Sequence, residues 1–396
     1  MAVDTPARIA ILGAGPIGLE AALYARFLGY EVAIFERGRA AEHVRRWGHV
    51  TMFTPWRMNV TPLGLAALTA QDSAWKPQPP DARLTGRQWA ESYLLPLAES
   101  DLLADGLHEQ CDVLQVGREG FLPTDPSGEE DRDDSSFVLL VVDADGQERI
   151  ERADVVIDAA GTWAAHQSLG AHGLPALGER HCGPDHGPIE QPAEYAGRRV
   201  LVVGAGHTAA TDVCALAALK PRPTIHWVTR RSVLPGAGPI ERILNDPLVA
   251  RDDLARDANR LATSPGTGVE WRPGTWVERI AEDESSGLWQ VKLIGDHEGK
   301  LEVDRVVADV GSRAMGPTHL ALHVLPPLLA KTPADGPAAL VQPETDLYIL
   351  GVRSRPRGHF LLADGHRQIR DLFTIIGDRA DLDLYRTIGE RTLEPG

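Results

Sequence analysis

The chain has 396 residues, 43% of them hydrophobic and 24% charged, which suffices for two or three domains with sizeable cores. A formal net charge of −16 argues against nucleic acid and anionic membrane as partners, since both require a basic face. No basic and apolar leader is visible and no apolar stretch approaches the ~20 residues of a spanning helix, so the expected location is the cytoplasm, with no membrane partner.

The apolar run Arg8 to Leu12 breaks into Gly13-Ala14-Gly15-Pro16-Ile17-Gly18 and then into a helical stretch. This is the pattern of a strand, a glycine turn and a helix start. Gly13 bends the turn, Gly15 lets backbone N–H groups approach a pyrophosphate, and Gly18 lets the helix lie against the strand. The helix N-terminus, opened by Pro16 and Ile17, then holds the anion. A second strand, Glu31 to Phe35, ends in Glu36, an acid about 20 residues beyond the turn that can accept hydrogen bonds from ribose hydroxyls. The basic stretch Arg37 to Arg46 follows, read either as lying near the nucleotide phosphates or as a solvated helix face.

Residues 47–62 have no clean period and mix Trp, Phe and Pro with polar side chains, which reads as an irregular segment lining a pocket. Trp47, His49, Phe53, Trp56 and Arg57 are the expected substrate-pocket residues. Asn59 is the candidate catalytic side chain, with capping of a turn ahead of Pro62 as the plainer alternative. Thr85 to Ala98 reads as a capped amphipathic helix with Thr85 near its start. Cys111 to Val116 and Phe137 to Val142 read as strands, and the charge run Gly128 to Asp134 as a solvated loop. The strand Ala153 to Asp158 runs into Ala159-Ala160-Gly161-Thr162, small residues of the kind needed where a chain passes beneath a bound cofactor.

Residues 166–189 are rich in Gly, Pro and His and read as a linker. His166, His172, His181, Cys182 and His186 have irregular spacings that match no paired-ligand pattern, so no metal is expected. At Arg199 the opening theme returns: Val200 to Val203, the turn Gly204-Ala205-Gly206-His207-Thr208-Ala209, and a helical stretch Ala210 to Leu219. The strand after it, Thr224 to Val228, ends in Thr229-Arg230-Arg231. Two guanidinium groups suit a 2′-phosphate where the first unit offers an acid, so the second dinucleotide is expected to be NADPH. The plainer alternative leaves Arg230 and Arg231 merely exposed. Trp271 to Ile280, Leu288 to Ile294 and Val303 to Val310 read as strands, and Asp309 to Arg313 resembles the point where chains with two such units return to the first. Leu347 to Gly351 gives one more strand, and Phe360 to Gln368 leads into a helix reaching about Ile376. Asp364 and Gln368 stand near its N-terminus, where free N–H groups can stabilise negative charge.

Two Rossmann units, acid-ended first and arginine-ended second, resemble the two-dinucleotide-binding-domain flavoproteins, which carry FAD and NADPH. The resemblance implies an α/β fold of two Rossmann-like three-layer domains, with the NADPH domain (190–315) inserted into a discontinuous FAD domain (1–165 and 317–396). It also implies that the helix start near Asp364 faces a reduced flavin ring. Within that group, Phe53 to Asn59 with Pro62, and the Thr85 to Ala98 stretch, are similar to the flavin-containing monooxygenases that hydroxylate nitrogen or sulfur. The implied reaction is NADPH-dependent oxygenation of a small organic substrate at N, S or a carbonyl through a flavin C4a-hydroperoxide formed with O2. A flavin reductase or dehydrogenase without oxygen insertion is the alternative. The three cysteines form no CxxC pair, which argues against the thioredoxin-reductase branch. A homodimer is compatible with the sequence.

Overall fold

The computed structural model describes residues 3–126, 128–162, 166–181, 187–231, 238–312, 317–324, 336–354 and 360–393. The chain divides into two compact units, 1–164 with 314–396, and 165–313.

The first unit opens with β1 (Arg8–Leu12), α1 (Pro16–Phe27), β2 (Glu31–Glu36) and α2 (Glu42–Arg46). α3 (Pro62–Gln71) follows, started by Pro62 at a position where its missing N–H costs nothing and capped by Thr61, whose Oγ1 accepts from Gly64 N. α4 (Gly86–Trp89) has the expected cap: Thr85 and Gln88 close a reciprocal capping box, and the helix runs on through a π turn, Ala90–Leu94, into α5 (Leu95–Ala98). β3 (Leu107–Glu109), β4 (Asp112–Arg118), α6 (Glu130–Asp133), β5 (Phe137–Val142), β6 (Glu148–Ala153) and β7 (Val155–Asp158) complete the first half.

The second unit contains α7 (Gly187–Glu190), β8 (Arg199–Val203), α8 (His207–Ala218), β9 (Thr224–Val228), α9 (Val249–Thr263), β10 (Val269–Arg272), β11 (Thr275–Asp283), β12 (Leu288–Gly295), β13 (Gly299–Val303) and β14 (Arg305–Ala308). The chain returns to the first unit with β15 (Leu347–Ile349), α10 (Leu362–Ile376) and α11 (Leu384–Leu393).

Each unit has three layers, and side-chain alternation along its buried parallel strands assigns the faces. In the first, the parallel sheet runs β15-β7-β1-β2-β3. Ile9, Ile11, Val32, Ile34, Val155 and Ile157 face α1, α3 and α10, while Ala10, Leu12, Ala33, Phe35 and Val156 face the antiparallel sheet β4-β5-β6. In the second, the parallel sheet runs β10-β9-β8-β14. Val200, Val202, Ile225 and Trp227 pack on α8 and α9, and Leu201, Val203 and Val228 on the antiparallel sheet β11-β12-β13.

Several expectations are corrected. The stretch read as one strand, Trp271 to Ile280, is broken by Pro273-Gly274 into β10 and β11, which belong to different sheets. The charge run 128–134 is not wholly solvated. Arg132, on α6, is 1% exposed and bonds Glu344, which also binds Arg118 of β4. The 166–189 segment is not a free linker in its described part: Gly170 and Leu177 bridge to Val277 and Arg279 of β11, so it belongs to the second unit.

Candidate functional site

At the end of β1 the chain turns at Gly13 with φ +98°, a left-handed conformation that side chains resist, and a Cβ there would stand 2.9 Å from Ala160 Cα. At Gly18 a Cβ would come within 1.9 Å of the Gly13 carbonyl oxygen, which is why the helix can lie this close to the turn only without one. At Gly15, by contrast, nothing lies within 4 Å. Between two crowded glycines there is one open side, at the N-terminus of a 12-residue helix, and this is the shape and polarity that a pyrophosphate requires. Pro16 occupies the first turn and Ile17 is buried against Gly351 and Gly365. Gly161, φ +67°, likewise has open space around it.

Glu36 ends β2 with its Oε2 accepting from Ala14 N at 2.8 Å and its Oε1 from Gly38 N at 2.8 Å. Each carboxylate oxygen keeps a further lone pair for a ribose hydroxyl. Burial pushes its pKa upward, opposed by those two N–H groups and by the Arg37 charge. Arg37 is exposed, and Arg46, also exposed, pairs with Glu42 at 3.2 Å.

The second unit repeats the construction. A Cβ at Gly204 would stand 2.1 Å from the Asp309 carbonyl oxygen, whereas Gly206 has nothing within 4 Å. Ala209, fully buried, takes the place of the third glycine, and His207 and Thr208 begin α8. The Trp227 indole donates to the Gly204 carbonyl at 2.8 Å and anchors the turn from the strand beside it. Thr229 is buried and accepts from the Trp271 indole at 3.0 Å, after which Arg230 and Arg231 emerge exposed. Among the described residues no carboxylate pairs with either.

The aromatic segment is irregular and packed. Its strand-like stretch is held by residues 80–87, through Met52 N to Leu84 O, Trp56 N to Ala82 O and Gly86 N to Val50 O. Trp56 is 3% exposed and packs edge-on against Tyr93 at 5.7 Å, within the core. Arg57 points to the surface and pairs with Asp81 at 2.9 Å. Trp47, packed over Gly86, His49 and Phe53 are half-buried. Asn59 is 1% exposed, its Oδ1 accepting from Thr54 Oγ1 at 2.7 Å and its Nδ2 donating to the Thr54 carbonyl at 3.2 Å. The amide closes its own loop, so Asn59→Ala is expected to cost about 1–3 kcal/mol of stability by leaving Thr54 unsatisfied. Urea denaturation measures this, and an unmoved midpoint would show that the loop does not depend on the amide.

Asp364 and Gln368 both make bonds within the first unit. Asp364 lies in the first turn of α10 and turns back to accept from Leu361 N at 2.8 Å, while also pairing with Arg367. The helix start therefore already carries a carboxylate. Gln368 accepts from Gly351 N and donates to Ser354 Oγ, both at 2.8 Å, tying α10 to the turn after β15.

One cluster had no sequence signal at all. Asp158, 1% exposed at the end of β7, bonds His319 Nε2 and Arg353 Nη1 at 2.5 Å each and accepts from Ala160 N at 3.0 Å. Burial alone would raise its pKa, but the His319 hydrogen bond and the Arg353 charge outweigh it and hold the group below its ordinary value. The cluster fixes the strand end from which the Ala159–Gly161 loop meets Gly13. Among the described residues no group of His, Cys, Asp and Glu could hold a metal ion; Cys182 and His186 lie outside them. No described helix is long and apolar enough to cross a membrane.

No protein-family model matches the chain, and no curated protein does. Solved structures do. The bacillithiol disulfide reductase Bdr (YpdA) from Bacillus cereus superimposes with a TM-score of 0.64 at 17% identity, over 97% of this chain and 99% of that one. The ornithine N-hydroxylase from Kutzneria sp. 744 does so with a TM-score of 0.63 at 16% identity, over 94% and 99%. The cadaverine monooxygenase DfoA from Erwinia amylovora gives 0.63 at 12% identity, over 95% of both chains. With two glycine-turn units, each backed by an antiparallel sheet, and this likeness along nearly its whole length, the chain has the fold of the two-dinucleotide-binding-domain flavoproteins.

Proposed function

We propose that the chain is an FAD- and NADPH-dependent oxidoreductase, and that its reaction is the oxygenation of a small organic substrate at nitrogen, sulfur or a carbonyl. The observation that carries the cofactor assignment is the pair of unlike strand ends: a carboxylate, Glu36, beside one turn, and two exposed guanidinium groups, Arg230 and Arg231, beside the other. The residues present fit the two groups. The Gly13–Ile17 turn would hold the FAD pyrophosphate and Glu36 its ribose hydroxyls. The Gly204–Thr208 turn would hold the NADPH pyrophosphate and the two arginines its 2′-phosphate, where a planar fork binds phosphate oxygens in pairs. When bound, FAD supplies the electron and oxygen chemistry, and the chain supplies placement and exclusion of water.

Oxygenation is favoured over disulfide reduction because a dithiol is missing. The sequence has three widely separated cysteines. Cys111 is buried, and burial together with the Asp257 charge pushes the Cys214 thiol up to about 11, so it is not a thiolate at neutral pH. A reductase without oxygen insertion is the second reading, favoured by the inward packing of Trp56 and Asn59 in the segment expected to line a substrate pocket.

The test is to reconstitute the purified protein with FAD and to follow NADPH and NADH oxidation, oxygen uptake and incorporation of labelled dioxygen while screening amines, thiols and ketones. Label in a product supports oxygenation, and substrate-dependent NADPH oxidation without label supports the reductase. Failure to bind FAD overturns the assignment. Gly15→Val is expected to leave folding intact, since that side is open, while weakening FAD roughly 10- to 100-fold by displacing the phosphate. Gly18→Val, by contrast, is expected to disrupt the unit. Circular dichroism and flavin fluorescence separate the two, and equal FAD affinity in Gly15→Val would dismiss the turn as the cradle.

A further inference from the structure

Glu20 sits on α1, one turn into the helix that begins at the glycine cradle, and is 2% exposed. Its surroundings are hydroxyl groups in an apolar wall. Thr61 Oγ1 donates to its Oε1 at 2.6 Å, Tyr93 OH donates to its Oε2 at 3.3 Å, and the Tyr385 hydroxyl of α11 lies against the same carboxyl. No ion pair with Glu20 exists among the described residues. The two donors are themselves part of a chain of bonds. The Thr61 hydroxyl accepts from Gly64 N at 2.9 Å and thereby caps α3, and the Tyr93 hydroxyl accepts from Thr61 N at 3.3 Å. Gly64 makes room for it, since a Cβ there would stand 1.9 Å from the Tyr93 hydroxyl. Tyr93 in turn carries Trp56, edge-on, from the aromatic segment.

A carboxyl held this way is comfortable as a neutral acid and costly as an anion, because burial removes water and nothing cationic replaces it. The geometry points to Glu20 as a positioning residue: it fastens Thr61, and through it α3 and residues 47–61, to the cradle helix α1, and once ionised, its hydroxyl donors notwithstanding, the cost of keeping the charge from water favours opening of this packing. Its bearing on FAD rests on the reading of the first unit given above, whereas the fastening itself does not.

Burial raises the Glu20 pKa to about 7, with the hydroxyls of Thr61, Tyr385 and Tyr93 only partly opposing it. The other titratable groups facing it do not change charge in that range. Burial holds Tyr93 and Tyr385 well above their ordinary values and raises Tyr24 on α1, and α3 contributes no titratable side chain. His366 of α10, whose ring lies 6.1 Å from that of Tyr385, is pushed down to about 4 by burial and stays neutral. Between the ordinary value of 4.5 and about 7 the unfolded chain has lost the proton that the folded chain keeps. Stability therefore falls as pH rises through this window and levels off above it, and the unfolding constant grows roughly 100-fold.

The experiment compares full-length wild type with E20Q by urea unfolding from about pH 5 to 8.5. The unfolding constant of wild type is expected to rise about 100-fold more than that of E20Q, and native tryptophan fluorescence without denaturant to titrate near neutrality only in wild type. Parallel unfolding profiles overturn the proposal. If E20Q does not fold, T61V takes its place: removing the hydroxyl that favours the anion should move the wild-type midpoint upward, and an unmoved midpoint overturns the proposal. FAD affinity, read by flavin fluorescence, is expected to weaken about tenfold from pH 6 to 8.5 in wild type but not in E20Q. Equal weakening in both removes the link to the cradle. Absence of FAD binding at either pH refutes the FAD reading, and the unfolding comparison still decides the fastening.

Discussion

Glu344→Ala is expected to destabilise the protein by about 3–5 kcal/mol, a large part of what holds an ordinary domain together. Glu344 is 1% exposed and stands between two equally buried guanidinium groups, Arg118 Nε at 2.9 Å and Arg132 Nη2 at 3.0 Å. It also accepts from His323 N at 3.0 Å. Burial alone would raise its pKa, but the Arg132 hydrogen bond, the His323 N–H and Arg118 together hold it below the ordinary carboxylate value. Arg118 further donates to the carbonyls of Ser135 and Thr345 and lies over the Phe137 ring, and Arg132 donates to the Leu122 carbonyl. Truncating the acid leaves two cations in an apolar interior with only neutral acceptors, and that is where the cost arises. Because the folded pKa is depressed, the stabilisation is present above about 4.5 and is lost as pH falls below that value. Chemical denaturation at neutral pH measures the change, with Glu344→Gln expected to lie between alanine and wild type. A midpoint in the alanine variant equal to wild type would mean that the cluster contributes nothing.

The second large effect concerns cofactor choice. In Arg230→Ala/Arg231→Ala the KM for NADPH is expected to rise roughly 100-fold or more while that for NADH stays within about threefold. Each charge-assisted hydrogen bond to the 2′-phosphate supplies about 1.5–3 kcal/mol, and NADH has no phosphate to lose. Both side chains lie outside the core, so thermal stability should not change and a binding effect can be separated from a folding one. Initial-rate kinetics with both nucleotides decide the matter, and an equal loss for NADPH and NADH would assign the arginines to general electrostatic attraction. The single variants rank the two guanidinium groups.

The glycine turns were legible in the sequence because their constraints are local. Gly13, Gly18 and Gly204 are crowded by backbone atoms, and the strands before them and helices after them follow from periodicity. What could not be read depends on contacts distant in sequence. Glu344 meets Arg132 across 212 positions, so the run 128–134 looked like solvent-facing charge until the fold supplied its partner. His319 reaches Asp158 across 161 positions, with no motif to announce it. The inward packing of the aromatic segment was hidden for a different reason. Trp56 and Asn59 have the composition of a pocket wall, yet the pairing of residues 48–57 with 80–87 turns them inward, and composition does not encode that direction. β3 is only three residues long, too short for a periodic signal, whereas α9 does carry one, with Leu254, Ala255, Ala258, Leu261 and Ala262 at helical spacing on the face that packs in the core.

β7 and β15 are hydrogen-bonded neighbours, Val156 opposite Leu347, although residues 165–313 come between them in the chain. On a ribosome the intervening unit therefore has all of its strands in hand while the first sheet still lacks its edge, and β7 waits with that side unpaired until β15 emerges. Synthesis order thus favours completion of the inner unit first, and truncations before Leu347 should yield chains whose second unit is protease-resistant and whose first is not.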